Sequence, residues 1–314
     1  MKILILGGSG FFGKSFIDYY QRKISRELKD VKIILASRNI NSVASIINKE
    51  YLNKKIFLET IDVKSCNKIP EADLVIHAAN STSEKDYREN PAKERENIVI
   101  GAENIMKLMK QDSKIIYVSS GAIYGKQNSV DENFKEDDNC RSKNLEGTKL
   151  HYANAKIDAE KIVIKYSKSK SIKSAIARCY AFVGVHLPRD THFFIGNMIG
   201  SILNNTEHHI KSKNKVFRSY MHADDLIRSL LFISEYANSY CEIFNIGSNE
   251  LIELHELAKI FSKKYKLKIA GNKSAIESLE ADIYIPNIDK LLSKGFKLNY
   301  NMIRSIENVI KELK

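Results

Sequence analysis

The sequence predicts an α/β fold: a doubly wound parallel sheet with a smaller lobe assembled from interleaved C-terminal chain segments. Three observations predict it. Short, continuous runs of Ile, Val and Leu recur through the first half of the chain, they alternate with amphipathic stretches of helix length, and a glycine-rich turn follows the first run directly. Apolar runs that are continuous rather than alternating mark strands covered on both faces, as in a parallel sheet with helices on each side. Strand–helix–strand alternation is how such sheets are wound.

The expected strands are Lys2–Leu6, Val31–Ala36, Lys55–Thr60, Asp73–His77 and Lys114–Val118, each followed by Gly, Ser, Asn or charged residues. Between the last two, Ile98–Gln111 carries Ile98, Ala102, Ile105, Met106 and Met109 at helical spacing. Ser174–Cys179 and Glu242–Ile246 extend the strand pattern. Ala181–Asp224 is mixed in character, and Leu251–Lys314 is helix-rich, ending on a stripe of Met302, Ile303, Ile306, Val309, Ile310 and Leu313. These two segments read as the smaller lobe.

With 43% hydrophobic and 28% charged residues among 314, the composition is that of a globular chain, which excludes disorder and collagen-like structure. Cys66, Cys140, Cys179 and Cys241 are scattered, which supports neither a zinc site nor a disulfide framework and suits a reducing compartment. No apolar run approaches the roughly 20 residues that span a bilayer, so no membrane association is expected. The opening run is too brief for a signal peptide, and glycines stand where a cleavage site would be; a cytoplasmic location is expected. The net charge of +12 admits anionic partners. The basic residues are spread out, with Lys168 and Lys170 only a small cluster, so they read as a solvated surface rather than a nucleic-acid tract.

The chemistry begins in Gly7-Gly8-Ser9-Gly10-Phe11-Phe12-Gly13, at a strand-to-helix junction. Glycines at 7, 10 and 13 let the backbone turn tightly and approach a pyrophosphate at the helix N-terminus. The end of the second strand reads Ala36-Ser37-Arg38-Asn39, where a carboxylate would otherwise hold the ribose hydroxyls of NAD. Ser37 can donate a hydrogen bond and Arg38 can grip a phosphate through its planar fork, which favours NADP(H), with NAD(H) as the alternative. Asp62 either accepts from the adenine amino group or caps the next helix. Further on, Tyr152 and Lys156 stand four apart, on one face of a helix. A nearby ammonium is expected to lower the phenol from its ordinary value near 10 toward the working range. Ser119-Ser120 closes the fifth strand, at the sheet edge where ligands of open α/β folds bind.

In this order, these elements resemble the extended short-chain dehydrogenase/reductases, specifically the NAD(P)-dependent epimerase/dehydratase family acting on nucleotide sugars. His77-Ala78-Ala79-Asn80, Arg218-Ser219-Tyr220-Met221-His222-Ala223-Asp224-Asp225 and Phe244-Asn245-Ile246-Gly247 are similar to further family segments. The resemblance implies a Rossmann-type domain over 1–180 with about 225–250, and a substrate-binding lobe over 181–224 with 251–314. It implies a catalytic triad of Ser120, Tyr152 and Lys156, Ser120 being preferred to Ser119 by its distance from Tyr124-Gly125. Gly7, Gly10, Phe11, Phe12, Gly13, Ser37, Arg38, Asp62, Val63, Ala78, Ala79, Asn97 and Lys156 would hold the cofactor. Asn80, Ser120, Tyr152, Asn197 and Arg218 would meet the substrate, with Arg218 at its diphosphate. A homodimer is implied through Ile98–Gln111 and Tyr152–Tyr166, the latter offering Ile157, Ile162, Val163 and Tyr166.

Two features depart from the family pattern. Tyr152 lies 32 residues after Ser120, a long gap whose excess, Lys126–His151, is polar and contains Asp131, Glu132, Glu136, Asp137 and Asp138; it reads as a lid or a solvated loop. In Ser278–Asn287 no arginine stands where a second phosphate ligand is usual. Gly121 and Ala122 occupy the places of the acid–base pair that a 4,6-dehydratase needs, so that reaction is not expected. Reduction of a 4-keto nucleotide hexose and 4-epimerisation remain, Ser37-Arg38 leaning toward the reduction. A catalytically silent dinucleotide-binding protein is the reading from outside the enzymes, and the presence of both Tyr152 and Lys156 weighs against it.

Overall fold

A computed structural model describes residues 1–24, 30–80, 84–212, 214–271 and 281–314. Its main sheet comprises β1 (Lys2–Leu6), β2 (Lys32–Ser37), β3 (Ile56–Thr60), β4 (Leu74–His77), β5 (Lys114–Ser120), β6 (Lys173–Cys179) and β7 (Glu242–Ile246). Their spatial order is β7-β6-β5-β4-β1-β2-β3, and every pairing from β3 through β6 is parallel. This is the doubly wound arrangement expected. The order reverses between β1 and β4, and the crevice outside the carboxyl ends of the strands at such a point is where ligands of these sheets bind. Ile3, Leu4, Ile5 and Leu6 of β1 are all buried, as a central strand covered on both faces requires.

The helices α1 (Phe11–Tyr19), α2 (Pro91–Leu108) and α3 (Gly147–Lys170) connect these strands. The apolar stripe of α2, Ile98, Ala102, Ile105, Met106 and the following Met109, is buried as its spacing implies. The helix starts earlier than that stripe. Asn90 caps it by accepting from Lys93 N at 3.1 Å, and Pro91 sits in the first turn, where its missing N–H costs nothing. It ends at Leu108, short of Gln111, because Met109 turns extended.

The chain divides into two compact units: residues 1–125, 139–179 and 227–244, and residues 126–138, 180–226 and 245–314. The second unit contains a three-stranded sheet of Ile252–Glu253, Lys215–Arg218 and Ala281–Tyr284, with Lys215–Arg218 in the middle. Residues 126–138, the first half of the stretch read as a lid or a solvated loop, fall within the second unit and are hydrogen-bonded inside it. Buried Gln127 donates to Ile285 O at 3.1 Å and accepts from Ile285 N at 2.7 Å. Asn245 donates to Phe134 O at 2.9 Å and to Asn287 O at 3.0 Å, and its N–H reaches Glu136 at 2.8 Å. Among the described residues no helix is long and apolar enough to cross a membrane.

Candidate active site

The glycine turn is built by exclusion of side chains. Gly7 adopts φ +91°, and a Cβ there would lie 2.6 Å from Ala78 O. A Cβ on Gly13 would stand 2.2 Å from Gly8 O, so this glycine lets α1 pack onto the turn. Gly10 caps α1 without a side-chain partner and has only Gly7 O near its Cβ position, at 3.4 Å. Gly7 N and Gly8 N donate to Ala36 O at 2.8 and 3.0 Å, which ties the turn to the end of β2. Phe11 and Phe12 meet edge to face, their ring centroids 5.9 Å apart. The first turn of α1 holds no acidic residue, which suits an anion at the helix N-terminus.

At the end of β2, Ser37 Oγ is buried without a partner, and Arg38 is exposed with no ion pair to any described residue. An orphaned buried hydroxyl beside a free guanidinium suits a polar ligand. Together with the glycine cradle, this fits the adenosine-phosphate end of a dinucleotide. Asp62 acts as a turn cap, one carboxylate oxygen accepting from Lys64 N at 3.0 Å. Val63 O accepts from Asn104 at 2.9 Å. The amide of Asn97 is already engaged, accepting from Lys64 Nζ at 2.6 Å and donating to buried Glu94 at 2.9 Å. Its expected contact with the cofactor therefore has to share these bonds.

Ser120, Tyr152 and Lys156 converge at the carboxyl end of β5. Ser120 caps the turn after its strand, accepting from Ala122 N at 3.2 Å, and is hydrogen-bonded to the Tyr152 hydroxyl. Lys156 is only 1% exposed and its Nζ donates to Val118 O at 2.8 Å; with the Asn80 amide turned so that its oxygen faces the ammonium, Nζ also donates to Asn80 Oδ1 at 2.8 Å and Asn80 Nδ2 to Ala79 O at 3.1 Å. Nζ lies 5.8 Å from the centre of the Tyr152 ring.

The protonation states differ from those expected. Burial pushes the phenol of Tyr152 up to about 12, with the Ser120 hydrogen bond pulling the other way. Burial also brings Lys156 down to about 7, against the opposing influence of Cys179 and Glu160. The ammonium expected to acidify the phenol is thus itself partly neutral at neutral pH, and desolvation outweighs it. Burial and then Lys156 bring His77 down to about 4, so it is neutral.

Two features here, Cys179 and Arg178, escaped the sequence reading, and Ser119, which it set aside in favour of Ser120, adds a third. Cys179, in register with Ser120, lines the site beside Tyr152 and Lys156. Ser119 Oγ is buried without a partner. Arg178 pairs with Glu160 at 2.9 Å, donates to the Tyr124 hydroxyl at 2.7 Å and is almost fully buried. It joins α3, one turn beyond Lys156, to β6 and to the turn that follows Ser120. Glu160, four residues after Lys156, was the one signal that could have pointed to it.

In the second unit, Asn197 donates to Thr191 O at 2.7 Å, and its Oδ1 is buried without a partner. Arg218 is held by Asp282, with Nη2 3.1 Å from Oδ1. Ser278, Leu279 and Glu280, part of the stretch read as lacking an arginine, lie outside the described residues.

The family model described as the NAD dependent epimerase/dehydratase family matches residues 3–247. A Methanocaldococcus jannaschii protein provisionally named a UDP-glucose 4-epimerase is 27% identical, over 99% of this chain and 98% of its own. UDP-glucuronic acid decarboxylase 5 of Arabidopsis thaliana is 24% identical over 87% of this chain and 78% of its own. Among solved structures, the UDP-glucuronic acid 4-epimerase of Bacillus cereus, in complex with UDP-glucuronic acid and NAD, superposes with a TM-score of 0.79 at 18% identity, covering 100% of both chains. At that identity the likeness is one of fold.

Proposed function

The chain belongs to the NAD-dependent epimerase/dehydratase family, and from that premise we propose that it reduces the C4 ketone of a nucleotide-linked hexose, with NADPH as reductant. The observation that carries this reading is the end of β2. Where an NAD enzyme places a carboxylate against the ribose hydroxyls, this chain presents an unpartnered buried hydroxyl, Ser37, and an exposed guanidinium, Arg38. A 2′-phosphate satisfies both. In this reading the first unit holds the cofactor and the second binds the nucleotide sugar through Asn197 and Arg218.

NADPH, when bound, supplies the hydride. The chain's own residues handle the oxygen. Ser120 donates to the C4 oxygen and orients it. Tyr152, protonated at neutral pH, delivers its proton to that oxygen as negative charge develops. Lys156, fixed by Val118 O and Asn80, holds the nicotinamide ribose, and in its protonated form, about half the population at pH 7, supplies the positive charge that stabilises the phenolate left behind. Gly121 and Ala122 offer no group for eliminating water, which favours a reduction over a dehydration.

The second reading is a redox-neutral 4-epimerase, favoured by the names of the relatives. The two separate cleanly. A reductase consumes NADPH in proportion to a 4-keto-6-deoxyhexose nucleotide; an epimerase interconverts UDP-glucose and UDP-galactose without net loss of cofactor. On the reductase reading NADP(H) binds more tightly than NAD(H), and Arg38→Asp reverses the order with a loss of about 1.5–3 kcal/mol for NADP. Tighter binding of NAD by the wild-type chain would overturn it.

A further inference from the structure

Arg218 sits on the central strand of the second unit's sheet, paired in register with Tyr284 of the neighbouring parallel strand. Asp282 is two residues earlier on that strand, so it shares a face with Tyr284 and Arg218. The guanidinium is fastened along one edge only. Nη1 donates to Phe217 O and to Asp282 O, each at 2.8 Å, and Nη2 donates to Asp282 Oδ1 at 3.1 Å. Both hydrogens of Nη1 are therefore used, and one of Nη2. What remains is Nε–H with the second Nη2–H, the parallel pair on the adjoining edge, and these meet no acceptor among the described residues. A parallel N–H pair of this kind grips a phosphate in bidentate fashion. The side chain of Arg218 is 20% exposed, so its charge is only partly screened by water.

We propose that Asp282 is a positioning residue for the substrate's diphosphate: by engaging the end of the Arg218 guanidinium, it turns the Nε–Nη2 edge toward the phosphate oxygens. The inference rests on the nucleotide-sugar reading above. It also gives a reason for a carboxylate beside a phosphate-binding arginine, where like charge would otherwise count against it. The orientation it imposes removes rotamer freedom that binding would have to remove. The single acceptor that matters is Oδ1, which an asparagine retains.

The test is calorimetric titration of the full chain with UDP, dTDP, GDP and CDP, using the tightest of the four thereafter, with the matching nucleoside as control. Asp282→Ala is expected to weaken the nucleoside diphosphate about 5–20-fold, the effect of one net hydrogen bond. The nucleoside itself and NADPH should bind as before, and kcat should change less than KM. Asp282→Asn should restore affinity to within about 2-fold of wild type, because it keeps the acceptor. In an Arg218→Met background, Asp282→Ala should have no further effect. Wild-type or tighter affinity in Asp282→Ala, or an undiminished loss in the Arg218→Met background, overturns the positioning role alone. A wild-type chain that binds none of the four diphosphates overturns the nucleotide-sugar reading and this inference together.

Discussion

A lysine buried to 1% exposure with no carboxylate in contact among the described residues is costly at neutral pH, and Lys156 has that position in the first unit. Its folded-state value of about 7 lies well below the ordinary 10.5. Between those two values the unfolded chain binds the additional proton, so stability rises with pH across that window and is lowest below it. The penalty at pH 7 is about 4–5 kcal/mol. Losing the hydrogen bond to Val118 O costs about 1–3 kcal/mol, which is less. Lys156→Met should therefore raise the melting temperature at pH 7 by more than about 3 °C, and the gain should vanish near pH 10. Thermal unfolding at the two pH values checks this; a gain independent of pH would mean that the lysine is charged in the fold. Tyr152 behaves oppositely. With its phenol raised to about 12, the folded state holds the proton longer than the unfolded chain, so stability falls from about pH 10 upward. Its catalytic test is simpler. Tyr152→Phe removes the transferable proton and keeps the ring, so turnover should drop about 10²–10⁴-fold while cofactor affinity, measured by titration, stays near wild type.

At the scale of elements, the β1–α1 turn separates two uses of glycine that the motif spacing presents as equivalent. Gly13→Ala forces a Cβ to within 2.2 Å of Gly8 O, a backbone atom that cannot swing aside, so the fold itself should lose roughly 1–3 kcal/mol. Gly10→Ala meets only Gly7 O, at 3.4 Å, so the chain should keep its stability while the methyl group intrudes where a pyrophosphate must approach. Chemical denaturation alongside cofactor titration distinguishes them: Gly10→Ala should lose at least about 10-fold in affinity with its unfolding midpoint nearly unchanged. If both variants lose stability alike, the turn is structural only. This turn and the Tyr152–Lys156 pair were legible because each is local: strand, turn and helix contacts fall within a few residues and imprint a spacing. The start of α2 was less so, since the cap at Asn90 lies two turns ahead of the apolar stripe. What the sequence could not show were partnerships between distant strands. Gln127 finds Ile285 across 158 residues, Arg218 finds Asp282 across 64, and Arg178 finds Tyr124 across 54. Each is set by the register of elements whose pairing leaves no periodicity to read. The protonation of the site was illegible for the same reason, because the burial of Tyr152 and Lys156 outweighs their mutual spacing.

For the whole molecule the open question is association, and α2 and α3 carry the answer within the first unit. The two helices pack on each other, and Arg95 of α2 pairs with Asp158 of α3. Val163, expected on an outward face, is instead fully buried in the core and is not available to a partner. Ile157, Ile162 and Tyr166 remain only partly covered, and Ile100 on α2 is 37% exposed. Four apolar side chains along adjacent helices suit a second copy of the same surface, since a symmetric pair brings identical patches together. A stable pair needs about 800 Å² from each partner, which two helices of this length can supply. Opposing it is charge: each chain carries +12, so two copies repel. That repulsion is long-ranged and falls as the screening length shortens to about 8 Å at physiological salt, whereas apolar contact persists. The expected result is a homodimer whose dissociation constant tightens from low salt to about 0.15 M, seen by light scattering as a mass near twice 35.8 kDa. Ile100→Lys with Ile162→Glu places charges on that surface without touching Tyr152 or Lys156. The double variant should be monomeric with cofactor binding intact. A wild-type chain that is monomeric at micromolar concentration in both salts, or a double variant that still pairs, would remove these helices as the interface.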